Sequence, residues 1–241
     1  MSQISHLNPQ ISIDKLKALG IKTTMLSGDK NTVVQFVAQK LGITNAFGDL
    51  LPEDKVNKVK EIIAKKVAEV AARGINIQHI HRIDRTGYKA GALDAAMDQV
   101  QGEFIAIFDA DFVPDKDFLL RTIPYFNSDK IGVVQTRWGH LNKSYSLLTE
   151  LQAFGLNGHF AIEQGGRNAQ GHYINFNGTA GVWRKACIED AGGWEHDTIT
   201  EDLDLSYRAQ MRGWKFTYFN RYFFIVIRSG YSSVSKITFI S

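Results

Sequence analysis

The chain has 241 residues, 44% hydrophobic, 22% charged and 11% aromatic, which is apolar enough to bury a core and long enough for one large domain or a domain plus a fragment. A net charge of +3, with the basic surplus confined to residues 1–61 and 219–241, leaves the body slightly acidic and argues against the basic stripe of a nucleic-acid-binding surface. The single cysteine, Cys187, excludes a disulfide framework and a cysteine-rich zinc site, fits a reducing compartment, and leaves oxygen or histidine to hold any metal.

Met1 to Asn8 lacks the basic-then-apolar pattern of a signal peptide, and no stretch reaches the roughly 18 apolar residues of a membrane helix. Thr23 to Leu26 reads as a strand, Ser27-Gly28-Asp29 as a turn, and Asn31 to Leu41 as a helix stopped by Gly42. A second helix opens at Pro52-Glu53-Asp54, where proline suits the first turn and the acids face the helix dipole. Val56, Val59, Ile63, Val67 and Val70 recur at helical spacing and carry it to Arg73, before Gly74. Ile75 to His81 is the next expected strand, Lys89 to Val100 a helix, and Glu103 to Phe108 a buried strand ending in Asp109-Ala110-Asp111. This alternation predicts βαβ units and a mostly parallel sheet.

Beyond Asp111 the expected elements are a helix from Lys116 to Phe126, a strand from Ile131 to Thr136 and a helix from Tyr145 to His159. Glycine-rich segments follow at Gly165-Gly166, Gly178, Gly181 and Gly192-Gly193, so the second half carries the loops. Tyr222 to Ile227 is a short apolar run between Arg221 and Arg228. His79, His81, His159 and His196 have no metal-ligand spacing and read as structural or surface residues.

Two family resemblances divide the chain. Met25-Leu26-Ser27-Gly28-Asp29, Leu41-Gly42-Ile43 and Leu51-Pro52-Glu53-Asp54-Lys55 resemble the phosphorylation domain of a P-type, metal-transporting ATPase over residues 1–61, implying a βαβα fragment of haloacid-dehalogenase-like type. Ser27, Asp29 and Lys55 match that family's phosphoryl-contacting positions, but its phosphorylated aspartate and magnesium-holding motif have no counterpart.

From residue 62 to about 220 the chain is similar to a cellulose-synthase-like family 2 glycosyltransferase. The matching runs are Arg85 to Leu93, Phe108-Asp109-Ala110-Asp111, Gln135-Thr136-Arg137-Trp138, Phe176-Asn177-Gly178-Thr179 and Thr200-Glu201-Asp202-Leu203-Asp204-Leu205. The junction lies inside the helix from Pro52 to Arg73, and residues 221–241 match neither family.

The second resemblance implies a truncated GT-A-like nucleotide-diphospho-sugar transferase fold and an inverting transfer of a hexose, as from UDP-glucose, to a polysaccharide or glycan acceptor. It implies Asp202 as the general base, because the attacking hydroxyl needs a proton acceptor opposite the leaving group. Lys89, Gly91, Asp109, Asn177 and Gly178 become donor-binding residues, and Asp109 with Asp111 the ligands of Mg2+ or Mn2+, a hard cation suited to a leaving diphosphate. Gln135, Trp138 and Glu201 are candidates for the acceptor path. Taken without the resemblance, two aspartates at a strand end are more often caps than metal ligands, and Lys89 is as readily a solvated surface residue.

The family's uracil-holding aspartate is absent, and Asp29 and Asp49 stand after the candidate strands in its place. The resemblance further implies a cytoplasmic location or the cytoplasmic face of a membrane, with no complete membrane helix here. A catalytically dead chimera that only binds metal and nucleotide diphosphate is the rival expectation, and ATPase-like phosphoryl transfer the third.

Overall fold

The computed structural model describes residues 9–18, 20–84, 86–109, 112–140, 143–198, 200–226 and 238–240. The chain divides into two compact units, Met1–His81 and Arg82–Ser241.

The first unit contains helix α1 (Pro9–Ala18), strand β1 (Thr24–Leu26), helix α2 (Asn31–Leu41), strand β2 (Asn45–Phe47) and helix α3 (Pro52–Ala71). β1 and β2 pair in parallel, with Met25 opposite Ala46, so the expected βαβ unit is present. α2 stops at Gly42, whose φ of 63° gives the left-handed cap that returns its N–H to the carbonyl of Gln39. α3 starts with proline at its first turn, and the N–H of Leu51 donates to the Asp54 carboxylate at 3.0 Å. Its apolar row is only partly covered: Val56 and Val59 are exposed and no residue of the helix is buried.

Ile75 to His81 is not a strand. Every residue of that stretch is exposed and irregular; a β-prone run forms a strand only against a neighbour that takes its N–H and C=O groups, and none of the described residues does so.

The second unit contains α4 (Tyr88–Met97), β3 (Phe104–Phe108), β4 (Phe112–Pro114), α5 (Phe118–Thr122), β5 (Ile131–His140), α6 (Leu147–Gly158), α7 (Gly165–Ala169), β6 (Gly181–Arg184), α8 (Lys185–Asp190), α9 (Glu201–Met211), β7 (Lys215–Val226) and β8 (Thr238–Ile240). Its six-stranded sheet runs β4-β7-β5-β6-β3-β8. The class is α/β, but this sheet is mixed. Only β5 and β7 are parallel neighbours, while β3 pairs antiparallel with both β6 and β8. The expectation of a mostly parallel sheet treated each strand as followed by a crossover helix, and periodicity alone does not reveal a strand that returns from the far end of the chain.

Two further boundaries differ from the sequence reading. Residues 221–226 are the second half of β7, paired with the extension of β5 to His140, rather than an unassigned tail. Gly165-Gly166 is helical: α6 continues through a π-helical turn at His159–Gln164 into α7, and Gly165 faces the Tyr218 ring closely enough that a Cβ there would lie 3.8 Å from it.

The sheet is buried on both faces, as the unbroken apolar run of β3 demands. Ile105 and Ile107 join Val133, Trp183, Cys187, Ile188, Leu205 and Phe216 in the larger cluster. Ala106 and Phe108, pointing oppositely, join Phe112, Phe118 and Val182 in the smaller one. Both layers fix the end of β3, where the polar chemistry gathers.

Candidate active site

Four segments deliver polar groups to one place: the end of β3, the start of α4, the loop 177–180 before β6, and the start of α9. Gly87 and Tyr88 both have positive φ, 75° and 43°, and this tight entry sets Lys89 in the first turn of α4. The Lys89 ammonium donates to Asp109 Oδ1 at 2.9 Å and to the carbonyl of Gly178 at 2.7 Å. Both members of this ion pair are largely shielded, with side-chain exposures of 18% and 29%. The Asp109 N–H in turn donates to Thr179 Oγ1 at 2.9 Å.

Gly178 joins the fourth segment. It has φ of 74°, and a Cβ placed on it would lie 3.2 Å from Asp202 Oδ2 and 3.3 Å from Lys89 Nζ. Burial raises the Asp202 carboxyl above the ordinary carboxylate range, the Glu201 charge adds to this, and the Leu203 N–H and the Lys89 charge oppose it. A partly buried carboxylate with an increased hold on its proton, beside a cation at a helix N-terminus, is an arrangement suited to proton transfer next to an anionic ligand. Asp204 faces elsewhere and pairs with Arg208 at 2.7 Å, so the two acids of this helix do not act together.

The segment 172–177 belongs to no helix or strand, and side chains receive its backbone groups. Gln210 accepts from the N–H of Ile174 and donates to its carbonyl, at 3.1 and 2.9 Å. Ser206 Oγ accepts from the N–H of Phe176 at 2.9 Å, Gln164 Oε1 from that of Asn175 at 3.4 Å, and Gln135 Oε1 from that of Asn177 at 2.9 Å. All four side chains are buried, and together they replace a ladder partner. Ser206 and Gln210 belong to α9, so the helix that carries Asp202 also holds the segment that leads to Gly178.

The structure therefore brings Lys89, Asp109, Asn177, Gly178 and Asp202 together and places other expected residues differently. Gln135 is fully buried; its amide donates to the carbonyls of Thr136, Thr179 and Ala180, so it supports the loop and cannot line an acceptor path. Trp138 packs between Phe112 and Phe160, with ring centroids 5.3 and 5.0 Å away, as part of the core rather than as a platform. Gly91 sits where a Cβ would collide with the backbone of Thr86 and the Arg82 side chain, so its lack of a side chain closes the loop before α4. Glu201 is partly buried and acts on the site through the charge it places near Asp202.

Arg85, Ala110 and Asp111 lie outside the described residues. Among the described residues no cluster of three metal-ligating side chains occurs. Asp109 by itself supplies hard carboxylate oxygen at a strand end, the donor chemistry that Mg2+ and Mn2+ select. Gln164, Ser206 and Gln210 carry much of the geometry and gave no signal, because a polar residue between apolar ones reads as a solvent-facing position.

The family described as glycosyltransferase like family 2 matches residues 55–229. The chain is 45% identical over 164 residues to a probable glucomannan 4-beta-mannosyltransferase of Oryza sativa subsp. japonica, covering 66% of this chain and 30% of that protein. It is 43% identical over 171 residues to glucomannan 4-beta-mannosyltransferase 1 of Cyamopsis tetragonoloba, covering 69% and 32%. The chain thus spans about a third of the length of these relatives. Among solved structures, a mannosyltransferase from Pyrobaculum calidifontis in complex with GDP-Man and Mn2+ is similar with a TM-score of 0.48 at 13% identity, covering 88% of this chain and 62% of that one.

Proposed function

This chain belongs to glycosyltransferase-like family 2, and on that footing we propose that its GT-A-like α/β unit is the catalytic centre of an inverting hexosyltransferase that uses a nucleotide-diphospho-sugar and a glycan acceptor. The observation that carries the reading is the meeting of Lys89, Asp109, Gly178 and Asp202 at one end of the sheet.

In this reading Asp202 takes the proton of the acceptor hydroxyl as its oxygen attacks the anomeric carbon. The bond from that carbon to the diphosphate oxygen breaks, and its electron pair leaves with the diphosphate. The raised proton affinity of Asp202 suits a base. Lys89 meets the leaving diphosphate at the start of α4, exchanging its contact with Asp109 for the phosphate oxygens. Asp109 and Asp111 would hold Mg2+ or Mn2+, which when bound neutralises developing negative charge on the diphosphate.

The names of the relatives favour a mannosyl unit over the glucosyl unit that the cellulose-synthase resemblance implies. Purified protein with Mn2+, offered GDP-mannose or UDP-glucose and a glucomannan oligosaccharide, should release nucleotide diphosphate and lengthen the glycan; no release with either donor sinks the reading. The same assay separates the rival, a chain that holds nucleotide diphosphate without turnover, for which the mutual neutralisation of Lys89 and Asp109 speaks.

Residues 1–61 we read as a fragment descended from an ATPase phosphorylation domain, supported by the parallel β1-α2-β2 unit and the Ser27-Asp29 turn. Among the described residues no helix is long and apolar enough to cross a membrane; a place at the cytoplasmic face of a membrane follows from the family reading.

A further inference from the structure

His159 stands at the first residue of the π-helical turn, a winding frequent at functional sites. Its Nδ1 lies 2.8 Å from Glu163 Oε2 and its Nε2 lies 3.2 Å from Asn177 Oδ1. The hydrogens follow from the surrounding network. Gln164, 1% exposed, accepts from the Asn175 N–H through Oε1 and donates through Nε2 to the Asn175 carbonyl, which fixes its orientation. The same Nε2 donates to Asn177 Oδ1, and Asn177 Nδ2 donates to the Asn175 carbonyl, each at 3.4 Å. Reversing the Asn177 amide would set donor against donor and acceptor against acceptor, so Oδ1 faces His159 and the ring must supply a hydrogen at Nε2.

We infer that His159 serves as a positioning residue that clamps Asn177 for the proposed transfer. The inference rests on reading the Lys89–Asp202 cluster as the donor site. The charged groups recorded around the ring are Glu163 and, beyond it, Arg167, 3.7 Å from the other Glu163 oxygen. Arg167 and the ring's Nδ1 both meet the Glu163 carboxylate, and the ring's Nε2 holds Asn177. Next in line is Gly178, whose carbonyl anchors Lys89. While Lys89 exchanges Asp109 for a phosphate, its bond to the Gly178 carbonyl must hold, and the clamp keeps the Asn177-Gly178 turn in place against Asp202.

The test uses the full chain and sets two variants against the wild type. In transfer assays His159→Phe should lower kcat about tenfold to a hundredfold with the donor KM within about twofold, the pattern of lost positioning. His159→Gln, whose amide can still donate to Asn177, should recover most of that loss. Equal kcat in His159→Phe and wild type removes the role while leaving the site reading intact; absence of turnover in the wild type removes both.

Discussion

Both units place an aspartate just after a strand, Asp29 after β1 and Asp109 after β3, yet they treat those groups in opposite ways. In the first unit Ser27 Oγ donates to Asp29 at 2.6 Å, the Asp49 carboxylate accepts from the Asn31 N–H at 3.1 Å, and Asn31 Oδ1 accepts from the Gly48 N–H at 3.0 Å. These are exposed contacts that finish a turn. In the second unit the partners are 20 and 89 residues apart in sequence, they are shielded, and one carboxylate is held against its solvation preference. Exposed groups that bond one another with little loss of solvation are fold elements, whereas charge gathered and shielded at a cost in desolvation is the mark of a site.

The comparison breaks most visibly at Asp202. Asp202→Asn should lower transfer by about a hundredfold to ten-thousandfold, the usual worth of a general base, measured as nucleotide diphosphate release. The same change should raise Tm at neutral pH. The folded carboxyl binds its proton more tightly than the unfolded one, so stability owed to this group is full below the unfolded value and is lost as pH rises through the folded value. The Tm advantage of the asparagine variant should therefore shrink as the medium is acidified below the ordinary carboxylate range. The rate in the wild type should fall on the acid side at a higher pH than an exposed carboxylate would give.

Lys89→Met comes next. It removes the partner of Asp109 and of the Gly178 carbonyl, and calorimetry with GDP or UDP and Mn2+ should show affinity reduced by roughly one to two factors of ten, the worth of a charge-assisted hydrogen bond. Unchanged affinity would move the diphosphate away from α4. Gly178→Ala follows: a left-handed backbone costs an alanine about 1–2 kcal/mol, and its methyl would press on Asp202 and Lys89 together. Denaturant melts should show that loss, and turnover should fall by more than donor affinity does. The smallest effect belongs to the first unit, where Asp29→Asn should change stability by less than about 0.5 kcal/mol, as exposed substitutions do, and leave transfer unaltered. A large loss of transfer there would end the contrast between the two turns.

Much of this was legible in the chain. The βαβ start, the α4 entry, the buried β3 run and the acids at the ends of β3 and α9 follow from local patterns, and the helix from Pro52 ends in the turn before Gly74, whose φ is 81°. What escaped was non-local. No pattern in Ile75 to His81 says that its neighbours are missing, and none in residues 238–240 says that they pair with β3. Gln135 was expected on the acceptor path from its place in the run that resembles the family; the structure uses its amide to bind the 177–180 backbone. Buried amides that replace a strand partner are invisible to hydropathy, since their burial depends on what they bond.

Cys187, on α8 in the larger cluster, is fully buried, and burial pushes its thiol up to about 12. As the chain's one cysteine it gives the sheet unit a single chemical clock. A thiolate reagent finds nothing to attack while the layers stay closed, so the rate at which label accumulates counts openings of that unit alone. Nucleotide diphosphate bound at the polar end of the sheet should slow that clock in proportion to its occupancy, and the chain thereby carries an internal gauge of ligand binding that needs a thiol reagent but no turnover.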